Sequence, residues 1–514
     1  MEDARASELV ASLAQAAGER HPGALIDMRG TAADAFDELV EGVGPTRAIA
    51  LLAEHAWADD AQLLEAVCTA DVLRGASRER RSIGIFNHSL GTGGAERVTI
   101  DTARLWRAMG YQVTVICDEG CSCGVRLDDG ISLVELPDSF GAWGAGYGPR
   151  GEALSGALRA RGIDTLVFCQ WTSSTLTWDY LITRLAGATF VSFTHGSSRV
   201  LTGYRVPDYL RLPAVYSHLD GVVCLSEEDE LFWKNFNPRV CRVANLVDEG
   251  FFAGELPVLP GHRMLWVGRI AHDKTPLEAV DVLVRVLEEV PDATLAFAGP
   301  LGDLSLDELR ARAGSEAAWN AITFLGDVPH ERLAGVMREA DLLLFSSHLE
   351  GYPVAFAEAK AVGLPIASYL LRGVTLMRGE RGMLTAPVGD VDALAQAAVR
   401  LLTDKDLAHS MSAEARKHAR ELQEFDLAGA WREVFAAAAA PLDLQVGGTE
   451  TLASMFFDAR RYIVELDQRA AHAEQACEQV RHDLGCVESS VSFKAGRALT
   501  APLRIARDRL SRGK

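Results

Sequence analysis

The rhythm of apolar and polar positions changes several times along the chain. Residues 1 to about 78 carry helical runs such as Glu8-Leu9-Val10-Ala11-Ser12-Leu13 and Ala48-Ile49-Ala50-Leu51-Leu52-Ala53, with no strand-like stretch. From Ser82 short apolar runs alternate with helical ones: strands are predicted at 83–87, 112–117, 165–169, 190–194 and 221–225, with a helix over 95–109. A second alternating set starts at 264–267 and runs through a helix at 277–289 to strands at 294–298, 322–324 and 342–345. Continuously apolar strands separated by helices predict parallel sheets covered on both faces. Two doubly wound sheets in tandem leave a cleft between the carboxyl ends of their strands, and function is expected there.

After the second set comes a long helix over 426–440, and then a different period. Leu452, Phe456, Ala459, Ile463 and Leu466 begin a series, alternately four and three apart, that continues to Leu484 and Val487. That heptad repeat predicts a helical pair or bundle, read here as self-association through 452–487. From Ser490 the chain carries seven Lys or Arg against one acid, Asp508, with Phe493, Leu499, Leu503 and Leu510 between them. Such a tail suits an anionic membrane surface. The division expected is a helical accessory domain at 1–80, Rossmann-like domains at 81–250 and 251–445, and a coiled coil with a basic amphipathic tail at 446–514.

Composition narrows the class. A chain of 514 residues, 48% hydrophobic and 7% aromatic, is large enough for about three domains with substantial cores. The formal net charge of -20 argues against a nucleic-acid binder, because polyanions are repelled at long range. No apolar run reaches about 18 residues, and Met1-Glu2-Asp3-Ala4-Arg5 lacks the order of a secretory signal, so a cytoplasmic protein is expected, peripheral on the inner face of the plasma membrane through its tail. Nine cysteines fit a reducing compartment. Cys117, Cys121 and Cys123 are close together, but a structural zinc site needs four ligands and no fourth is near.

The segment from Ser346 to Ile366, SSHLEGYPVAFAEAKAVGLPI, carries the most chemistry. The apolar strand before it delivers a turn into the cleft, and Pro353 suits the first helical turn, where its missing N–H costs nothing. Glu350 is then expected on the loop and Glu358 one to two turns into the helix, with free amides of Gly351 and its neighbours between them. Such a place binds an anion and sugar hydroxyls together. Gly93 and Gly94 open the helix after the first strand and allow close backbone approach to phosphate or acceptor.

The Glu-x7-Glu element, with Ser347 before it and Gly363-Leu364-Pro365 after it, resembles the donor-site signature of retaining glycosyltransferases of family 4, whose two-domain fold is called GT-B. Gly93-Gly94-Ala95-Glu96-Arg97, Thr194-His195-Gly196, Asn245-Leu246-Val247-Asp248 and Val267-Gly268-Arg269 with Lys274 match in the same order, although Leu246 and Thr275 stand where the family has glycine. The resemblance covers roughly Ser82 to Ala440.

It implies a nucleotide-sugar donor, a UDP- or GDP-sugar, and a saccharide or lipid-linked saccharide acceptor. It assigns Arg269 and Lys274 to the diphosphate, Glu358 to the ribose, Glu350 to the sugar hydroxyls, and His195 to orienting or stabilising the reacting sugar from the first domain. Gly93, Gly94 and the run Gly351, Tyr352, Pro353 and Val354 are implied to line the donor. Negative charge grows on the leaving diphosphate, so fixed cations must meet it. No metal or other cofactor is expected, since those cations replace the ion and no Asp-x-Asp ends a strand. The last helices are implied to cross back onto the first domain, with Trp431 and Phe435 as anchors.

Other readings meet obstacles in the residues. Gly91-Thr92-Gly93-Gly94 with Asp118 is half of a dinucleotide fingerprint, but Glu96 occupies the third glycine's place. A glycosidase would explain two carboxylates but neither the basic pair nor the two halves. A nucleotide-sugar epimerase of the same architecture and a non-catalytic scaffold remain as alternatives.

Overall fold

The computed structural model describes residues 2–18, 25–54, 60–73, 81–91, 93–138, 146–203, 207–257, 261–371, 373–440 and 469. The heptad segment 452–487, apart from position 469, and the basic tail 490–514 lie outside the described residues.

The first lobe is a seven-stranded sheet built from β1 (Ser82–Phe86), β2 (Gln112–Asp118), β3 (Ile131–Leu136), β4 (Thr165–Phe168), β5 (Thr189–Phe193), β6 (Gly221–Cys224) and β7 (Val240–Arg242). Its order is β3-β2-β1-β4-β5-β6-β7 and every pairing is parallel. The second is a six-stranded parallel sheet of β8 (Arg263–Val267), β9 (Thr294–Ala298), β10 (Ile322–Gly326), β11 (Leu342–Phe345), β12 (Ile366–Tyr369) and β13 (Met383–Ala386), in the order β10-β9-β8-β11-β12-β13. Strand order reverses beside β1 in the first sheet and beside β8 in the second. At these switch points adjacent loops part and leave a crevice above the strand ends.

β1, β4, β5, β6 and β11 are buried along their whole length, as continuously apolar runs require. β3, half-exposed at the sheet edge, mixes Ser132 and Glu135 with its apolar residues, and β12 carries a buried Ser368 whose hydroxyl bonds the Tyr369 carbonyl at 2.8 Å. Both lack the uninterrupted apolar signature, and the hydrophobic pattern alone does not reveal them.

The N-terminal helices are not a separate ball. Helix Pro45–Glu54 packs on helices Tyr147–Ala160 and Leu176–Leu185 of the first lobe, and the core runs without a break from Leu13, Phe36 and Leu52 to Leu154, Leu181 and Phe190. The Arg184 guanidinium donates to the Leu73 carbonyl at 2.6 Å. The change near residue 80 is therefore a change of element type rather than of core.

Helix Leu427–Ala439, capped by Asp426 accepting from the Gly429 amide at 2.8 Å, returns to the first lobe. Trp431 meets the Trp106 ring edge-on at 4.7 Å between centroids and Phe193 at 5.5 Å, and Phe435 meets Trp106 at 5.4 Å. Each such pair adds about 0.5–1.5 kcal/mol beyond its buried area. At the junction, Gln423 clamps Val247 twice, accepting from its amide at 3.0 Å and donating to its carbonyl at 2.7 Å. No helix among the described residues is long and apolar enough to cross a membrane.

Candidate active site

The two loops at the second lobe's switch point are stitched together. Thr275 ends the loop after β8 in the left-handed region, at φ 48° and ψ 47°, a costly conformation for a branched residue. Its hydroxyl donates to the Ser346 carbonyl at 2.5 Å, and the Ser346 hydroxyl donates back to the Thr275 carbonyl at 2.9 Å. The Trp266 indole N–H bonds the same Ser346 oxygen at 3.1 Å. A glycine here would avoid the strain but make no such anchor.

Lys274, fixed by that anchor, reaches the loop after β11 and donates from Nζ to Glu350 Oε1 at 2.7 Å. Glu350 is 11% exposed and Lys274 31%. The pair is thus shielded enough to matter and open enough to meet a ligand. An ammonium has three donors, so Lys274 can hold Glu350 and an anion together. Arg269 does not join them. Its guanidinium is 60% exposed and rests on Asp273 through Nη2 at 3.4 Å.

Helix Val354–Val362 follows with Pro353 as its N-cap, one position before the first turn. The first intrahelical donor is the Phe356 amide, bonded to the Pro353 carbonyl at 3.0 Å. The Val354 and Ala355 amides therefore precede the ladder and face outward at the positive end of the helix. Glu358, 5% exposed, lies one turn further and accepts from His330 Nε2 at 2.9 Å.

From the first lobe, β5 delivers His195 against the Phe193 ring, with centroids 4.1 Å apart. Burial pushes its imidazole down to about 3, so it is neutral. Its Nε2 is buried and has no hydrogen-bond partner. The lobes touch here: a Cβ on Gly351 would lie 2.8 Å from the His195 carbonyl oxygen and 2.9 Å from the Gly196 carbonyl carbon. Gly196 in turn has the Trp171 ring against it, 2.7 Å from where its own Cβ would stand. A second contact joins Gly94 to Val354, at 3.4 Å from the would-be Cβ.

Two expected donor contacts are placed differently. The Tyr352 hydroxyl donates to the Asn245 carbonyl at 3.0 Å, which makes it a brace across the junction instead of a ligand. At Gly93 the Glu96 carboxylate lies where a Cβ would be, so an acidic side chain rather than open space borders the turn. Burial raises the Glu96 carboxyl above its ordinary value, while His88 and Arg269 act on it in the opposite sense. A hydroxyl fits beside that carboxylate better than a phosphate does.

Asp118, the acid a dinucleotide reading needs for ribose, is fully buried; it accepts from Arg150 Nη1 at 2.8 Å and from His88 Nδ1 at 2.7 Å. Arg150, also fully buried, is held on its other side by Asp179 at 3.0 Å. That geometry overturns the dinucleotide reading. His88, Asp118 and Asp138 bring ligand-capable atoms within 4.8 Å of one another, but the Arg150 charge beside Asp118 opposes a cation there. His330 and His88 carried no signal in the sequence, since each is a single histidine outside any motif.

Beside Glu350 a cavity of about 420 Å³ opens between Arg199 of the first lobe and His348, Leu371, Pro387 and Val388 of the second.

The chain from 92 to 250 matches the model for Glycosyltransferase Family 4, and 259–418 matches that for Glycosyl transferases group 1. It is 30% identical over 225 residues to the glycogen synthase of Mycobacterium tuberculosis (strain ATCC 25618 / H37Rv), covering 42% of this chain and 52% of that one. It is 31% identical over 150 residues to the GDP-mannose:cellobiosyl-diphosphopolyprenol alpha-mannosyltransferase of Xanthomonas oryzae pv. oryzae, covering 29% and 40%. The chain thus spans about half the length, or less, of these curated relatives. Its fold matches the structure of Anabaena Alr3699/HepE in complex with UDP and glucose with a TM-score of 0.55 at 15% identity, over 70% of this chain and 99% of that one.

Proposed function

Because the chain belongs to the glycosyltransferases of group 1 and family 4, with the GT-B fold, we propose that it is a retaining enzyme that moves a hexose or N-acetylhexosamine from a UDP- or GDP-sugar to a saccharide acceptor, lipid-linked, in surface-polysaccharide assembly. The observation that carries this reading is the Lys274–Glu350 pair, which sets a cation for the diphosphate and an acceptor for sugar hydroxyls 2.7 Å apart at one cleft edge. The diphosphate lies against Lys274 and Arg269, and on the Val354 and Ala355 amides. Glu358 takes the ribose, and the sugar enters the cavity beside Glu350.

In the transfer, the acceptor hydroxyl oxygen bonds to the anomeric carbon on the face from which the phosphate oxygen leaves. The hydroxyl proton passes to that phosphate oxygen, so no protein nucleophile is needed. His195, neutral and with Nε2 unpartnered, gains a hydrogen bond when a sugar hydroxyl arrives. Glu96 and the Gly93–Gly94 turn meet acceptor hydroxyls from the other lobe. The lipid-linked acceptor is supported by the diphosphopolyprenol named for the Xanthomonas relative. Self-association through 452–487 and a place on the inner face of the plasma membrane through 490–514 belong to the same proposal on sequence pattern alone.

A panel of UDP- and GDP-sugars scored for nucleoside diphosphate release, with and without membrane extract, tests it. One donor should release diphosphate in proportion to extract. Product formed without any acceptor favours the epimerase, and full function in cells of both Glu350→Ala and Lys274→Ala favours the scaffold.

A further inference from the structure

His330 opens helix His330–Glu339 on the loop after β10, three strands across the sheet from the loop that carries Glu350. Its Nε2 lies 2.9 Å from Glu358 Oε1, and because a carboxylate only accepts, that nitrogen carries the proton. Among the described residues His330 is the one group that bonds Glu358, and it bonds Oε1, which leaves Oε2 without a protein partner. The imidazole cannot swing freely. Phe251, 2% exposed, packs its ring 5.0 Å from the His330 ring. The Phe251 segment is itself pinned by Arg338, which donates to the carbonyls of Gly250 at 2.9 Å and Ala253 at 2.7 Å.

A nearly buried carboxylate with one oxygen clamped and the other unpartnered is set for a directional acceptor role. We infer that His330 is a positioning residue for the nucleotide: it holds one Glu358 oxygen so that the other meets a ribose hydroxyl. This rests on the donor-site reading, and it adds a second loop, the one after β10, to the recognition of the nucleoside. A merely structural tie between the two helices would serve folding and leave ribose recognition indifferent to the imidazole.

The test is calorimetric titration of UDP and GDP, and of their 2′-deoxy and 3′-deoxy forms, into the wild type, His330→Ala, His330→Gln and Lys274→Ala. His330→Ala should weaken the ribonucleotide about tenfold and leave the deoxy form lacking the contacted hydroxyl within twofold, with His330→Gln recovering part of the loss. Equal weakening of the ribo and both deoxy forms, or no weakening at all, overturns the inference. Binding of either nucleotide that Lys274→Ala leaves intact overturns the donor-site reading, and the inference with it.

Discussion

Thr275 and Ser346 exchange two hydrogen bonds, hydroxyl to carbonyl in each direction, at 2.5 and 2.9 Å. The exchange ties the loop bearing Lys274 to the loop bearing Glu350 and sustains the left-handed backbone of Thr275. Thr275→Val should keep the strain and lose one bond, destabilising the protein by about 1–3 kcal/mol and lowering transfer further than stability alone explains. Thr275→Gly trades strain for slack: its melting temperature should stay near that of the wild type while transfer falls. Chemical denaturation beside steady-state kinetics reads both. A Thr275→Val protein as active and stable as the wild type would contradict the anchor.

Gly351 meets the backbone of His195 and Gly196, which has no side-chain freedom with which to yield. Gly351→Ala should force the lobes apart at the cleft floor. A loss of transfer of roughly a hundredfold is expected from misplacement of about 1 Å, with the second-lobe core intact. Small-angle scattering should report the opening, and an unchanged profile with full activity would contradict the close approach.

His195 is held neutral, so its titration near pH 3 lies outside the working range. The pH–rate profile between pH 5 and 9 should carry no limb that His195→Ala removes. The same variant should lower kcat about ten- to a hundredfold with little change in donor KM, since the lost bond is made to the reacting sugar. A limb near pH 6.5 that disappears in the variant would show a titrating imidazole instead.

Lys360, fully buried two residues beyond Glu358, donates to the Leu376 carbonyl at 2.7 Å and to His418 Nδ1 at 2.8 Å. Burial pushes its ammonium down to about 7 from an ordinary 10.5. Between those values the unfolded chain binds the proton and the folded one does not, so folding grows more favourable as pH rises through the window, and below it the full cost of a buried cation remains. Lys360→Met should therefore gain on the wild type as pH falls, by roughly 2–4 kcal/mol between pH 10 and pH 6. A difference in stability independent of pH would contradict this.

Much of this was legible in the residues. The apolar runs at β1, β4, β5 and β11 were continuous because both faces are covered, and the Glu350–Glu358 spacing survives as a loop and a helix turn. Trp431 and Phe435 do anchor the returning helix on Trp106. The sequence did not carry how side chains are partnered. That Tyr352 spends its hydroxyl on Asn245, that Glu96 fills the space over Gly93, and that Arg269 leans on Asp273 depend on the approach of segments about 100 residues apart or on local rotamers. His330 was silent for the same reason: its meaning arises only where the loop after β10 meets the helix after β11.

The central claim is that one diphosphate is gripped at the edge where Lys274 meets Glu350. A crystal structure of the protein soaked with UDP or GDP tests it most directly. The diphosphate should lie within hydrogen-bond distance of Lys274 Nζ and the Arg269 guanidinium, with the ribose on Glu358. A nucleotide bound elsewhere, or one in the cleft with Lys274 and Arg269 both turned away, would contradict the account.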